Sequence, residues 1–145
     1  MNVVVDTDGT RYLLLKRSSD SSLVRDPETN VTKHVDNDRL EHLEGESPLE
    51  TAARAIPDDI RTLILATPDE RTLGLLVELA DRGPLGVREL LETTDFCESD
   101  LHGRLTLLTA AGVLAKTQVG GERGYRTTES MRQTLETLRS LSLEE

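Results

Sequence analysis

The sequence predicts an α+β fold, mainly α, in which a small antiparallel β-meander precedes a run of helices and one hairpin. Three observations point there. Leu73, Leu76, Val77 and Ala80 recur at i, i+3, i+4 and i+7, the stripe of a helix with one buried side. Leu101, Leu105, Leu108 and Ala111 form a second such stripe, stopped by Gly112. The first 38 residues hold short β-prone runs separated by turn residues.

From the beginning, residues 2–5, 11–17, 23–25 and 31–35 read as four strands, with turns at 6–9 and 26–30. Asp8-Gly9 is a hairpin signal, and Pro27 and Asn30 stand where turn chemistry prefers them. A sheet this small needs a helix or a partner subunit to cover it. Residues 1–46 are therefore expected to form an accessory or dimerisation unit. Ser47, Pro48 and Glu50 then open a helix with Leu49, Ala52, Ala53 and Ile56 as its apolar side, ended by Pro57. Residues 58–66, with Ile60, Leu63 and Ile64 at helical spacing, complete a connecting stretch over 47–66.

Residues 67–145 carry the sharpest signals. Thr67 and Glu70 make a capping box, with Pro68 at the first helical position, where a missing N–H does no harm. Arg82-Gly83-Pro84 stops that helix. A short helix over 87–93 turns Val87, Leu90 and Leu91 inward, and 94–97 make a turn. The next helix runs from Glu98 to Gly112, and at about 100° per residue its outer face holds Ser99, His102, Gly103, Thr106 and Ala110. Residues 113–119 read as a strand, 120–124 as a flexible glycine tip and 125–127 as the return strand. Thr128 caps a last helix reaching about Leu143, with Met131, Leu135, Leu138 and Leu141 or Ser142 as a narrow apolar stripe.

Three helices followed by a glycine-tipped hairpin is the plan of a winged helix-turn-helix. The run SDLHGRLTLLTAAGVL, the hairpin and GYRTTE together resemble winged-helix regulators of the ArsR and MarR type over roughly residues 68–140. The resemblance implies a transcriptional regulator whose third helix enters the major groove of double-stranded DNA. Ser99, His102, Gly103 and Thr106 would face the bases, with Arg104 on the flank. Lys116, Arg123 and Arg126 of the wing would reach phosphates or the minor groove. Terminal helices dimerise in such proteins, which makes Met131, Leu135, Leu138 and Leu141 the expected homodimer contact. One departure stands out: recognition helices of this type usually carry several Lys, Arg or Gln, whereas this one opens with Glu98 and Asp100. Acids at that end have a structural reason, since they favour the positive end of the helix dipole.

A net charge of −10 is the wrong sign for a nucleic-acid binder. Both halves contribute equally, with 13 acids against 8 Lys and Arg in residues 1–66 and 14 against 9 in 67–145. Only Lys16, Lys33 and Lys116 are lysines, and this Arg-dominated, Asp- and Glu-rich composition resembles proteins of salt-loving archaea. In molar salt the Debye length shrinks to ~3 Å, so a global negative charge hardly repels DNA. At ordinary salt the same acidity favours a partner other than DNA. The alternative function is accordingly a winged-helix protein-interaction module within a transcription or replication assembly.

Other chemistry finds little support. Asp95, Cys97, Asp100 and His102 lie close in sequence, but one Cys and one His make a poor soft-metal set, and the metal-sensing relatives carry paired cysteines. Cys97 reads as a stand-in for a capping Ser, and His34 and His42 as surface residues. No nucleophile–base pair, Walker loop or HExxH motif occurs, so neither an enzyme, a cofactor nor a metal is expected. With Phe96, Tyr12 and Tyr125 as the only aromatics, no small-molecule pocket is expected either. No basic-then-apolar leader and no membrane-length apolar run occur, which leads to an expected cytoplasmic location.

Overall fold

A computed structural model describes residues 2–141, which fall into two compact units, Met1–Arg61 and Thr62–Glu145. Ser142 and Leu143, assigned above to the last helix, lie outside the described residues. The α+β class holds.

The first unit is a five-stranded antiparallel sheet in the order β4-β3-β2-β1-β5, built from β1 (Asn2–Asp6), β2 (Arg11–Arg17), β3 (Ser21–Arg25), β4 (Thr32–Asp36) and β5 (Leu40–His42). The fifth strand escaped the sequence reading. It is three residues long and pairs with β1, Val4 opposite His42. Val4, Tyr12, Val24 and Val35 form the buried cluster of one face, with Leu14 and Leu40 partly buried beside them. On the other face Val3 and Leu13 stand opposite each other in the register and are fully buried. Helix α1 (Pro48–Ala52) lies against β1 and β2. Its cap is the expected one, for the Ser47 hydroxyl accepts from the Glu50 amide at 3.3 Å. Its expected apolar side is wrong: Leu49 is 75% exposed and Ile56 42%, while Thr51 is the buried residue. A helix of five residues has too little surface to bury a full stripe.

Helix α2 (Asp58–Ala66) runs across the boundary between units and brings Leu63 into the second core, leaving Ile64 exposed. The second unit continues with α3 (Glu70–Arg82), β6 (Leu85–Gly86), α4 (Val87–Thr93), α5 (Glu98–Ala110), β7 (Leu114–Val119), β8 (Glu122–Thr127) and α6 (Glu129–Ser140). Three strands make a sheet in the order β6-β8-β7. Leu76, Leu79, Leu90, Leu101, Leu105, Leu108, Val113, Leu114, Tyr125 and Met131 belong to one core cluster.

Two local readings of α3 need correcting. Its N-cap is Asp69, whose carboxylate accepts from the Thr72 amide at 2.8 Å. Thr67 instead donates its hydroxyl to the Leu63 carbonyl, finishing α2. The buried stripe is Thr72, Leu75, Leu76 and Leu79, so Leu73 points out at 40% exposure. The i, i+3, i+4, i+7 spacing was right and its phase was wrong by one residue.

Candidate nucleic-acid interface

Helix α5 owes its outward face to a three-leucine anchor. Leu101, Leu105 and Leu108 are each 1% exposed, which turns Ser99, His102, Gly103, Thr106 and Ala110 to solvent. Ala111, expected in the buried stripe, is exposed because the helix is already unwinding there. The stop is a glycine motif: Gly112 sits at φ +81°, and the Val113 amide reaches back to the Leu108 carbonyl at 3.0 Å. Thirteen residues give a rod about 20 Å long. Its outer face carries no Lys or Arg, and Glu98 is its one exposed acid. The Thr106 hydroxyl donates to the His102 carbonyl at 2.9 Å, which leaves it free only as an acceptor.

Arg104 does not join that face. Its guanidinium binds both Asp69 carboxylate oxygens at 3.0 and 3.1 Å, the Asp100 carboxylate at 3.2 Å and the Thr72 hydroxyl. It also lies over the Phe96 ring at 4.9 Å, while Arg71 covers the same ring at 4.4 Å. Its side chain is 19% exposed. These bonds tie α5 to the start of α3, and the Thr72 amide and hydroxyl, followed by Arg104, hold the Asp69 carboxyl down to about 2. Arg104, expected on the flank of the DNA-facing side, is held in this structure by Asp69 and Asp100.

Cys97 occupies the N-cap of α5. Its exposed thiol lies 3.6 Å from the Ser99 hydroxyl, and that contact, helped by the Asp100 amide, lowers its pKa. Among the described residues no group of three or more His, Cys, Asp and Glu side chains converges on a metal-sized site.

The wing differs in detail from its sequence reading. Val119 stands opposite Glu122, so the turn is Gly120-Gly121 alone, and Glu122, Arg123 and Gly124 already belong to β8. Both turn glycines have positive φ, +58° and +82°, as a primed two-residue hairpin requires. Directly opposed residues share a face of a ladder. Lys116 opposite Tyr125 and Gln118 opposite Arg123 therefore lie on one side, and Arg126 opposite Ala115 on the other. All three wing cations are exposed. A cleft of about 430 Å³ separates wing and helix, lined by Val87, Glu98, Leu101, His102, Arg123 and Tyr125.

The root of the wing is fastened by β6. Leu85 pairs with Tyr125 and Gly86 with Gly124, and the Glu122 carboxylate accepts from the Arg88 amide at 3.3 Å. Arg88 was missed from the sequence. It is exposed, and the readable signal was its position as the only Lys or Arg between Arg82 and Arg104.

The four residues expected at a dimer contact divide. Met131 is 1% and Leu135 3% exposed, within their own unit's core, and Leu138 packs against that core. Only Leu141, at 70% exposure, is turned outward. Thr128 leaves its helix uncapped by side chain and donates instead to the Gly112 carbonyl at 2.9 Å.

A two-helix turn, α4 and α5, followed by a β-hairpin on a three-helix core is the winged helix-turn-helix arrangement. The chain belongs to the family described as Family of unknown function (DUF7346), whose model matches residues 1–139. No curated protein matches it. Among solved structures it is similar to the transcriptional regulator HlyU from Vibrio vulnificus CMCP6, at 24% identity and a TM-score of 0.50, with 66% of this chain and 94% of that one covered. An ArsR family transcriptional regulator is similar at 20% identity and a TM-score of 0.44, covering 59% and 87%. At such identities the likeness to HlyU speaks for the fold alone. Among the described residues no helix is long and apolar enough to cross a membrane.

Proposed function

We propose that the chain is a DNA-binding transcriptional regulator that lays α5 in the major groove and its wing along the flanking backbone. One observation carries this reading. Of the cations in the second unit, Arg71, Arg82, Arg104, Arg132 and Arg139 are paired with carboxylates. The remaining four, Arg88, Lys116, Arg123 and Arg126, have no carboxylate within salt-bridge distance among the described residues, and all stand on α4 or the wing. They flank the uncharged face of Ser99, His102, Gly103 and Thr106. Cations without partners beside a neutral hydrogen-bonding helix suit a polyanion whose base edges must be read.

The fold likeness to HlyU supports the reading, as does the motif resemblance to ArsR- and MarR-type proteins. The acid-rich composition fits work in the cytoplasm of a salt-loving organism, where screening removes the long-range repulsion of a −10 chain. Action as a homodimer on half-sites about 34–36 Å apart completes the proposal. No catalytic step is part of it.

A second reading has its own observation. Leu65 and Leu107, 79% and 70% exposed, border an apolar cleft of about 350 Å³ with Ala66, Pro68 and Ala111. That surface suits a protein-interaction module. Polarisation titration with genomic fragments in molar KCl separates the two. Arg123→Ala should weaken binding to all fragments, and His102→Ala should reorder the preferred ones by on the order of tenfold. Unchanged binding in both variants would discard the proposed surface.

A further inference from the structure

We infer that Arg88 is a fourth DNA-phosphate contact, and that Arg88, Lys116, Arg123 and Arg126 are all the cations the second unit places on phosphates. The inference rests on the DNA-binding reading above and sharpens it to a number. Arg88 follows Val87, which lines the cleft between α5 and the wing together with His102 and Arg123. Its backbone is fixed there, because its amide is bonded to Glu122 of β8. The start of α4, the outer face of α5 and the wing thus converge on one cleft, and Arg88 is an exposed cation at their junction.

The count follows from what the other cations of the second unit already do. Arg104 has three carboxylate or hydroxyl partners and a ring beneath it. Arg71 lies over the same ring and faces Asp95 and Asp100. Arg82 holds Glu89, Arg139 holds Asp81, and Arg132 holds Glu129 and Glu136. Moving any of them to a phosphate would strand a carboxylate.

Each phosphate neutralised contributes about −0.9 to the slope of log affinity against log salt. Four contacts give about −3.6 per bound chain. The test measures affinity of the full chain for a preferred fragment and an unrelated duplex by polarisation, over roughly 0.2 to 2 M KCl. Chains per complex are taken from light scattering, and circular dichroism checks each variant's fold. Arg88→Ala should bring the slope to about −2.7 per chain and weaken both duplexes by the same factor. Arg88→Lys should restore the wild-type slope.

A wild-type slope steeper than about −5.5 per chain would overturn the count. Wild-type binding with an unchanged slope in Arg88→Ala would overturn the contact while leaving the DNA-binding reading in place. No binding by the wild type to either duplex would sink both.

Discussion

Arg104 of α5 grips Asp69, the cap of α3, with one guanidinium nitrogen 3.0 and 3.1 Å from the two carboxylate oxygens. The same carboxylate accepts the Thr72 amide, so one acid both starts a helix and holds the next but one. Arg104→Ala should therefore lower the thermal midpoint. Its per-chain salt slope for DNA should stay at the wild-type value. A lowered slope with an unchanged midpoint would return Arg104 to the DNA contacts.

The same acid sets a pH dependence. Its folded value of about 2 lies below the ordinary 3.8, so its contribution to stability is fully present above pH 3.8. As pH falls from there through about 2, that contribution is lost. Asp69→Asn removes the titration. The midpoint difference between wild type and variant should shrink across this acid window and stay level above it, as calorimetry at several pH values would read.

Met131 reports on what α6 does. A side chain 1% exposed in its own unit's core should cost about 2–5 kcal/mol when cut to alanine. That loss should be the same at every protein concentration. A loss that grows as concentration rises would place Met131 between two copies.

Gly124 reports on the wing's root. A Cβ there would come within 2.6 Å of the Val119 Cγ2 and 2.8 Å of the Leu85 carbonyl oxygen. The second contact is backbone and cannot swing aside. Gly124→Ala should destabilise by about 1–3 kcal/mol and loosen the β6–β8 pairing, seen as faster amide exchange at Tyr125. Unchanged exchange there would mean that the join tolerates the methyl.

What could be read from the sequence was whatever depends on near neighbours. The α4 bounds, the inward leucines of α5 and the glycine stop at Gly112 all follow from spacing and local chemistry. The capping box at Thr67 failed because Asp69, two residues on, competes for the same job, and the winner depends on Arg104, 35 positions away. The tie between Arg104 and Asp69 was hidden for the same reason: no periodicity reveals a distant carboxylate. The strands β5 and β6 were missed because runs of three and two residues carry no pattern until a partner is beside them. On α6 the stripe of Met131, Leu135 and Leu138 served two packings equally well, and only coordinates show that it fills its own core.

The Gly86–Gly124 pairing has a mechanical consequence. Because β6 runs without a break into α4, pulling on the hairpin tugs the front of the helix pair as well, so wing and helix pair move as one lever. Extra residues spliced between Gly120 and Gly121 would merely lengthen the lever's tip, whereas splicing after Gly124 would detach it from its fulcrum.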